Sequence, residues 1–280
     1  MTALRMRMHR ASFSRLRGAY WIASHGAAQR SFSSSSPEFE RGLSGVMNVF
    51  NRVMDRSARF QRYQEQHVFP PDDSSITNML AFVTLQIPQR TEIDAVEFLE
   101  GARHACCAHL EAIHSLQFGE YVGGGERSAC TQADLLKLYC TPGFYKTAKA
   151  NVKLTHAMRN LILELQGVAI ESIHLKRAEY ARLTAQEYED EVNAEKNAPM
   201  LWSEDASMER LQLHVDVETV ENVKMNYFKR NKTRFVQQQN AYRWIFESKV
   251  TRPEDVDWRI AAIYRVSGRV VDLPKADRKE

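Results

Sequence analysis

The chain is poor in the features that mark specialised architectures. Four cysteines in 280 residues cannot build the disulfide framework of a small secreted scaffold. With 12 glycines and 8 prolines the composition excludes collagen-like and wholly disordered classes. No stretch approaches the ~18 consecutive apolar residues of a membrane-spanning helix. The largely apolar stretch Ile76 to Ile87 spans only twelve residues, is stopped by Pro88 and reads as a packed or surface-seeking segment. Catalytic signatures are missing as well. Gly-x-Ser-x-Gly, His-Glu-x-x-His and the dinucleotide fingerprint do not occur. Gly123-Gly124-Gly125 lacks the lysine and following hydroxyl of a phosphate loop and reads as a flexible connector. The expectation is a protein without catalytic residues or cofactor.

Acid is absent from residues 1–37, which carry Arg5, Arg7, Arg10, Arg15, Arg17 and Arg30 before the first acid, Glu38. This Ser-rich, cationic and weakly amphipathic stretch has the composition of a mitochondrial transit peptide. Arg30-Ser31-Phe32 before Ser33 resembles a matrix-peptidase site, so residues 1–32 are expected to be removed. The removed part holds six arginines and no acid, so the +3 of the whole chain becomes −3 in the mature one. Any attraction to an anionic surface must therefore be local.

Two local basic segments stand out. Residues 46–66 place Val46, Val49, Phe50, Val53, Met54 and Phe60 at helical spacing, with Arg52, Arg56, Arg59 and Arg62 turned away from that stripe. Such a helix can lie on an anionic membrane or dock on a partner or on its own domain. Pro70-Pro71-Asp72-Asp73 then reads as a linker. The second segment holds Lys224, Lys229, Arg230, Lys232 and Arg234 without an acid, interleaved with Tyr227, Phe228 and Phe235. Its cations suit phosphates of RNA or lipid, and its aromatics suit bases or a headgroup layer. An ordinary solvated hairpin has the same pattern.

Helices come first in the rest of the chain. Thr91-Glu92-Ile93-Asp94 has the form of a capping box before the stripe Ala95, Phe98, Leu99, Ala102, Cys106, Leu110 and Ile113. Thr131-Gln132-Ala133-Asp134 is a second box, and Thr141-Pro142 an N-cap followed by proline at the first helical position. His104, Cys106, Cys107 and His109 crowd one helix, but no second ligand pair with zinc spacing occurs, so small core filler is the expected role and no metal. Strands follow. Val168 to Leu183 alternates around a bulge near Glu171 and Ser172. Residues 186–209 form an acidic insertion, a solvated face of helix and loop. Leu211, Leu213, Val215 and Val217 alternate with polar residues. So do Tyr242, Trp244 and Phe246, and after Pro253 the set Trp258, Ile260, Ala262 and Tyr264. Helices followed by an antiparallel sheet give an α+β fold.

The order of Phe98-Leu99-x-Gly101-Ala102, Leu135-Leu136-x-Leu138-Tyr139-Cys140-Thr141-Pro142-Gly143-Phe144-Tyr145, the strand Val168 to Leu183, Trp244-x-Phe246 and Trp258-Arg259-Ile260-Ala261-Ala262-Ile263 resembles a known family. It is similar to the C-terminal domain of the mitochondrial import-motor anchor, shared with a membrane-facing protein of the mitochondrial large ribosomal subunit and with the fungal membrane-bound ribosome receptor. The likeness spans about residues 91–266, with Thr141, Pro142, Trp244, Phe246 and Trp258 as its fold signature. It implies a cone-shaped domain of the cystatin and nuclear-transport-factor type, in which a curved antiparallel sheet of about four strands wraps the N-terminal helices. It also implies a non-catalytic scaffold on the matrix side of the inner membrane. Partners implied are the mitochondrial ribosome (its RNA and proteins) and anionic inner-membrane lipids, or alternatively the inner-membrane translocase and matrix chaperone. Only residues 33–90 precede the domain, and this shortness favours the ribosome-associated relatives. The expected organisation is a leader to residue 32, a helix and linker over 33–90, the domain over 91–268 and a polar tail over 269–280.

Overall fold

The computed structural model describes residues 43–126, 129–193 and 207–272. The transit-peptide reading of 1–32, the middle of the acidic insertion at 194–206 and the end of the tail at 273–280 lie outside the described residues. The described residues divide between Asn48 and Val49 into two units. Seven helices lead the described residues: α1 (Leu43–Asp55), α2 (Ser57–Glu65), α3 (Ser75–Leu85), α4 (Ala95–Ile113), α5 (Leu116–Gly123), α6 (Thr131–Tyr139) and α7 (Pro142–Arg159). Strand β1 (Leu161–Leu183), helix α8 (Ala185–Asn193) and strands β2 (Met208–Tyr227), β3 (Lys232–Lys249) and β4 (Arg259–Asp272) follow. The strands form one antiparallel sheet in the order β1-β2-β3-β4. The α+β class and the four-stranded antiparallel sheet agree with the expectation. Among the described residues no helix is long and apolar enough to cross a membrane.

β1 is 23 residues long, and its pairing with β2 shifts register between Leu165 and Gly167, Ile170 and Ser172, and Leu175 and Arg177. Each shift inserts one residue, so the inward set can run Leu163, Leu165, Val168, Ile170, Ile173, Leu175, Ala178 and Tyr180 without turning over. Bulges also bend a strand and raise its twist, which curves the sheet around the helices. The bulge foreseen near Glu171 is real, and the Ile170 carbonyl there accepts from Arg103 Nη1 of α4 at 2.8 Å. The strand starts earlier than expected, at Leu161, because Asn160 closes α7 in the left-handed conformation at φ 50° and turns the chain straight into it.

Two sequence readings need correction. Thr91 does not cap α4. Asp94 is the N-cap, its carboxylate accepting from Val96 N at 2.9 Å, and the buried Thr91 hydroxyl has no partner. Thr131 does not cap α6 either, since it lies inside the helix and its hydroxyl meets Gln117 Oε1 at 3.1 Å. The box that does form is Thr184 with Glu187 at the start of α8, where Glu187 Oε2 accepts from Thr184 N at 2.7 Å and Glu187 N donates back to Thr184 Oγ1 at 3.2 Å. Thr141 caps α7 as read, accepting from Phe144 N at 3.3 Å, with Pro142 at the first position.

Residues 49–90 are built into the second unit rather than linking to it. Phe60, Tyr63, Phe69 and Phe82 form an aromatic cluster with centroid spacings of 5.2 to 6.3 Å. The buried Tyr63 hydroxyl accepts from Ala95 N at 2.9 Å, and burial pushes its pKa up to about 12. The expected linker is tied down as well, since Val68 O accepts from Leu175 N at 2.7 Å and Asp73 pairs with Lys176. The main core lies between α4 and the inward sheet face, where Phe98 meets Phe246 at 5.5 Å and Trp258 at 4.8 Å.

Candidate functional site

The first basic segment is not a free cationic face. It breaks at Arg56 into α1 and α2, and its arginines turn toward the chain's own 86–94 loop. Arg52 donates to Pro88 O at 3.0 Å, Arg56 reaches Gln86 Oε1 at 2.6 Å, Arg59 pairs with Glu92, and Arg62 with Asp94. Phe50 and Met54 of the supposed docking stripe are exposed instead, and the Val46 side chain lies outside the described residues. The stripe is split, since Phe60 packs on Phe69 and Phe82 and Val49 and Val53 are half-buried, while the arginines also turn inward. A guanidinium fork satisfies the carbonyls and carboxylate of the loop, which an apolar side chain cannot do. These pairs are half exposed, so Glu92→Gln is expected to cost at most about 1 kcal/mol in a urea titration. A larger loss would show that they hold the helix pair in place.

The second basic segment forms the tip of the β2–β3 hairpin. Tyr227 pairs with Lys232, a 3-10 turn spans Phe228–Arg230, and Asn231 takes the left-handed conformation at φ 45° to reverse the chain. The tip is pinned at its base. Phe228 N donates to Asn160 O at 3.1 Å, and the Phe228 ring stacks on His156 of α7 at 4.7 Å. Lys224 is occupied with Glu164 at 3.0 Å, and that hydrogen bond holds the Glu164 carboxyl below its ordinary range. Lys229, Lys232 and Arg234 are exposed at the end of the hairpin, and the Arg230 side chain lies outside the described residues. Among them Phe228 remains 45% exposed and Phe235 37%. The tip thus combines cations with partly exposed phenyl rings on a pinned turn, beside which β1 pairs with β2 up to Tyr227.

A cavity of about 260 Å³ lies between α4, α5, α7 and the inward face of the sheet. Leu110, Phe144, Val152 and Ile263 give it an apolar wall, and His109, His114 and Tyr242 line it as well. His109 is buried, its Nδ1 stands 3.4 Å from Cys140 Sγ, its ring stacks on Phe144 at 5.7 Å, and burial drives its pKa down to about 3. Burial lowers the pKa of His114 too, against the pull of Glu221. Glu221 stands behind Tyr242, 2% exposed, its Oε1 accepting from Tyr242 Oη at 3.0 Å and from Thr219 Oγ1 at 2.6 Å. The sequence carried a signal for this layer. The inward alternation of Leu211, Leu213, Val215 and Val217 continues to Thr219 and Glu221, which places a hydroxyl and a carboxylate on the core side.

No protein-family model and no curated protein matches this chain. The site must therefore be read from its own chemistry. None of the fold-signature residues lies on the hairpin tip or lines the cavity, although Trp244 meets the cavity's His109 edge-on at 5.4 Å. Thr141 and Pro142 start α7, and Trp244, Phe246 and Trp258 pack in the core. Cys106 is buried and free, as core filler would be, and among the described residues no group of three or more His, Cys, Asp or Glu is placed to hold a metal ion.

Proposed function

We propose that the protein is a non-catalytic scaffold that seats the β2–β3 tip on the anionic matrix face of the mitochondrial inner membrane. There it holds the large subunit of the mitochondrial ribosome close to the site where new proteins enter the membrane. The observation that carries the membrane part is the tip, where Lys229 and Lys232 are exposed together with Phe228 and Phe235 in a sequence, residues 224–235, that contains no Asp or Glu. Cations gain about 1 kcal/mol each near an anionic lipid surface, and phenyl rings add apolar burial at the headgroup boundary. A short, pinned turn suits contact with a headgroup layer better than it suits tracking a nucleic-acid strand, which needs an extended basic groove. The curved sheet closing over α4 and α7 supports a cone of the cystatin and nuclear-transport-factor kind. The ribosome and the mitochondrial setting rest on the resemblance of the motifs.

The test is flotation with vesicles of phosphatidylcholine alone and with cardiolipin added. The protein is expected to float only with the anionic vesicles, and Lys229→Glu with Lys232→Glu to lower that binding by about tenfold or more. Phe228→Ser is expected to weaken it without changing its salt dependence. Binding to RNA that the double variant abolishes, with vesicle binding unchanged, would overturn the membrane reading. Free migration of the mature protein away from mitochondrial ribosomes in a sucrose gradient would overturn the ribosomal part alone.

A further inference from the structure

The cavity plays no part in membrane seating, and its polar groups are unevenly matched. Both hydroxyls beside Glu221 spend their hydrogens on its Oε1, Tyr242 at 3.0 Å and Thr219 at 2.6 Å, so each presents only acceptor lone pairs elsewhere. The buried Asn240 Oδ1 nearby has no partner. No lysine or arginine of the described residues forms an ion pair with Glu221, and burial lowers the pKa of both His109 and His114, which makes neither a ready counter-ion. Of these groups Tyr242 lines the cavity, so its lone pairs face a space walled mainly by carbon, with the Glu221 carboxylate behind them. A buried carboxylate without a cation is a costly arrangement that a bound cation relieves.

We propose that this cavity binds a compact, largely apolar amine, its N–H group donating to Tyr242 Oη and its charge held by Glu221 behind that hydroxyl. An anion of the same shape meets the Glu221 field and no donor from Tyr242. An alcohol keeps one donor but gains no charge attraction. At about 260 Å³ the cavity exceeds the ~150 Å³ engineered space known to admit benzene, so one aromatic ring with a short arm fits. The inference stands apart from the membrane reading and can fail without it.

The experiment is calorimetric titration of the full-length protein with phenethylamine, 2-phenylethanol and 3-phenylpropionate. Phenethylamine is expected to bind, the alcohol to bind about tenfold more weakly, and the carboxylate not at all. Tyr242→Phe keeps the ring and removes the acceptor, and should weaken amine binding about tenfold. Glu221→Gln should abolish the preference for amine over alcohol. Ala148→Phe should block all three by filling the space. Should Glu221→Gln fail to fold, the Tyr242→Phe result with the three probes still decides. Equal binding of amine and carboxylate, unchanged amine affinity in Tyr242→Phe, or binding of none of the three would overturn the proposal.

Discussion

Replacing Trp244 with alanine is expected to destabilise the protein by about 3–5 kcal/mol, whereas phenylalanine at the same position should cost about 1 kcal/mol. Trp244 is 0% exposed and stands where the core meets the cavity. Its ring stacks on Phe246 at 6.3 Å and presents an edge to His109 at 5.4 Å. Alanine removes the transfer free energy of an indole and leaves a void that β3 cannot close, because its backbone is paired on both sides. Phenylalanine keeps most of the contact. The indole Nε1 is buried without a partner, so losing it breaks no hydrogen bond. A loss of about 4 kcal/mol is a large share of the ~5–15 kcal/mol that holds a domain together, and should lower Tm by about 8–16 °C. Thermal unfolding of the two variants side by side is the measurement. Equal losses in both would mean that the indole nitrogen, rather than the volume, holds the site.

The same residue shows what could be read in advance. Tyr242, Trp244 and Phe246 alternate so regularly that the inward face of β3 follows from the sequence alone, and β2 follows from Leu211 to Val217. Proline and the hydroxyl before it also fixed the start of α7, since a cap and a preset φ act within a few residues. The failures share one cause. Whether Thr91 or Asp94 caps α4 depends on what Tyr63, 32 residues away, does with Ala95 N. Which face of α1 and α2 turns inward depends on the carbonyls at 87 and 88, which a helical pattern does not contain. The Arg52 to Arg62 row looked like a docking surface because arginines opposite an apolar stripe are usually solvated, and here a loop thirty-odd residues later needed them. The cavity depends on the same kind of distant meeting. His109, Glu221 and Tyr242 come from three elements, and no spacing in the chain links them. Only the inward register of Glu221 was local, and an isolated carboxylate in a core register is a signal that can be sought in other sequences.

Acid should weaken the fold well above the range where its carboxylates titrate. His109 is held neutral in the native state with a pKa near about 3, against an ordinary value of about 6.5 when unfolded. Below about pH 6.5 the unfolded chain takes up a proton that the native site refuses, so native stability falls as pH falls and the loss ends only near pH 3. Integrated from about pH 7 to about pH 5, the loss from this one group is about 2 kcal/mol. His114, whose pKa is also lowered by burial, works in the same direction. Glu209 and Glu247 work against it, because burial raises their pKa values and acid relieves the cost of their charge. The variant His109→Phe separates these contributions. A phenyl ring fills the same space between Phe144 and Trp244 and gives up only the contact with Cys140 Sγ. Stabilities from urea titrations of the two proteins, taken at half-unit steps between about pH 7 and about pH 5, should show the wild type losing about 2 kcal/mol more than the variant toward the acid end. Parallel curves would mean that the imidazole gains a proton inside the fold. That outcome requires an acceptor at the ring, and the neighbour able to supply one is the neutral Cys140, whose thiol burial pushes up to about 12. A thiol that stays protonated is a poor acceptor for an imidazolium, so a steeper acid-side loss in the wild type than in the variant is the expected result.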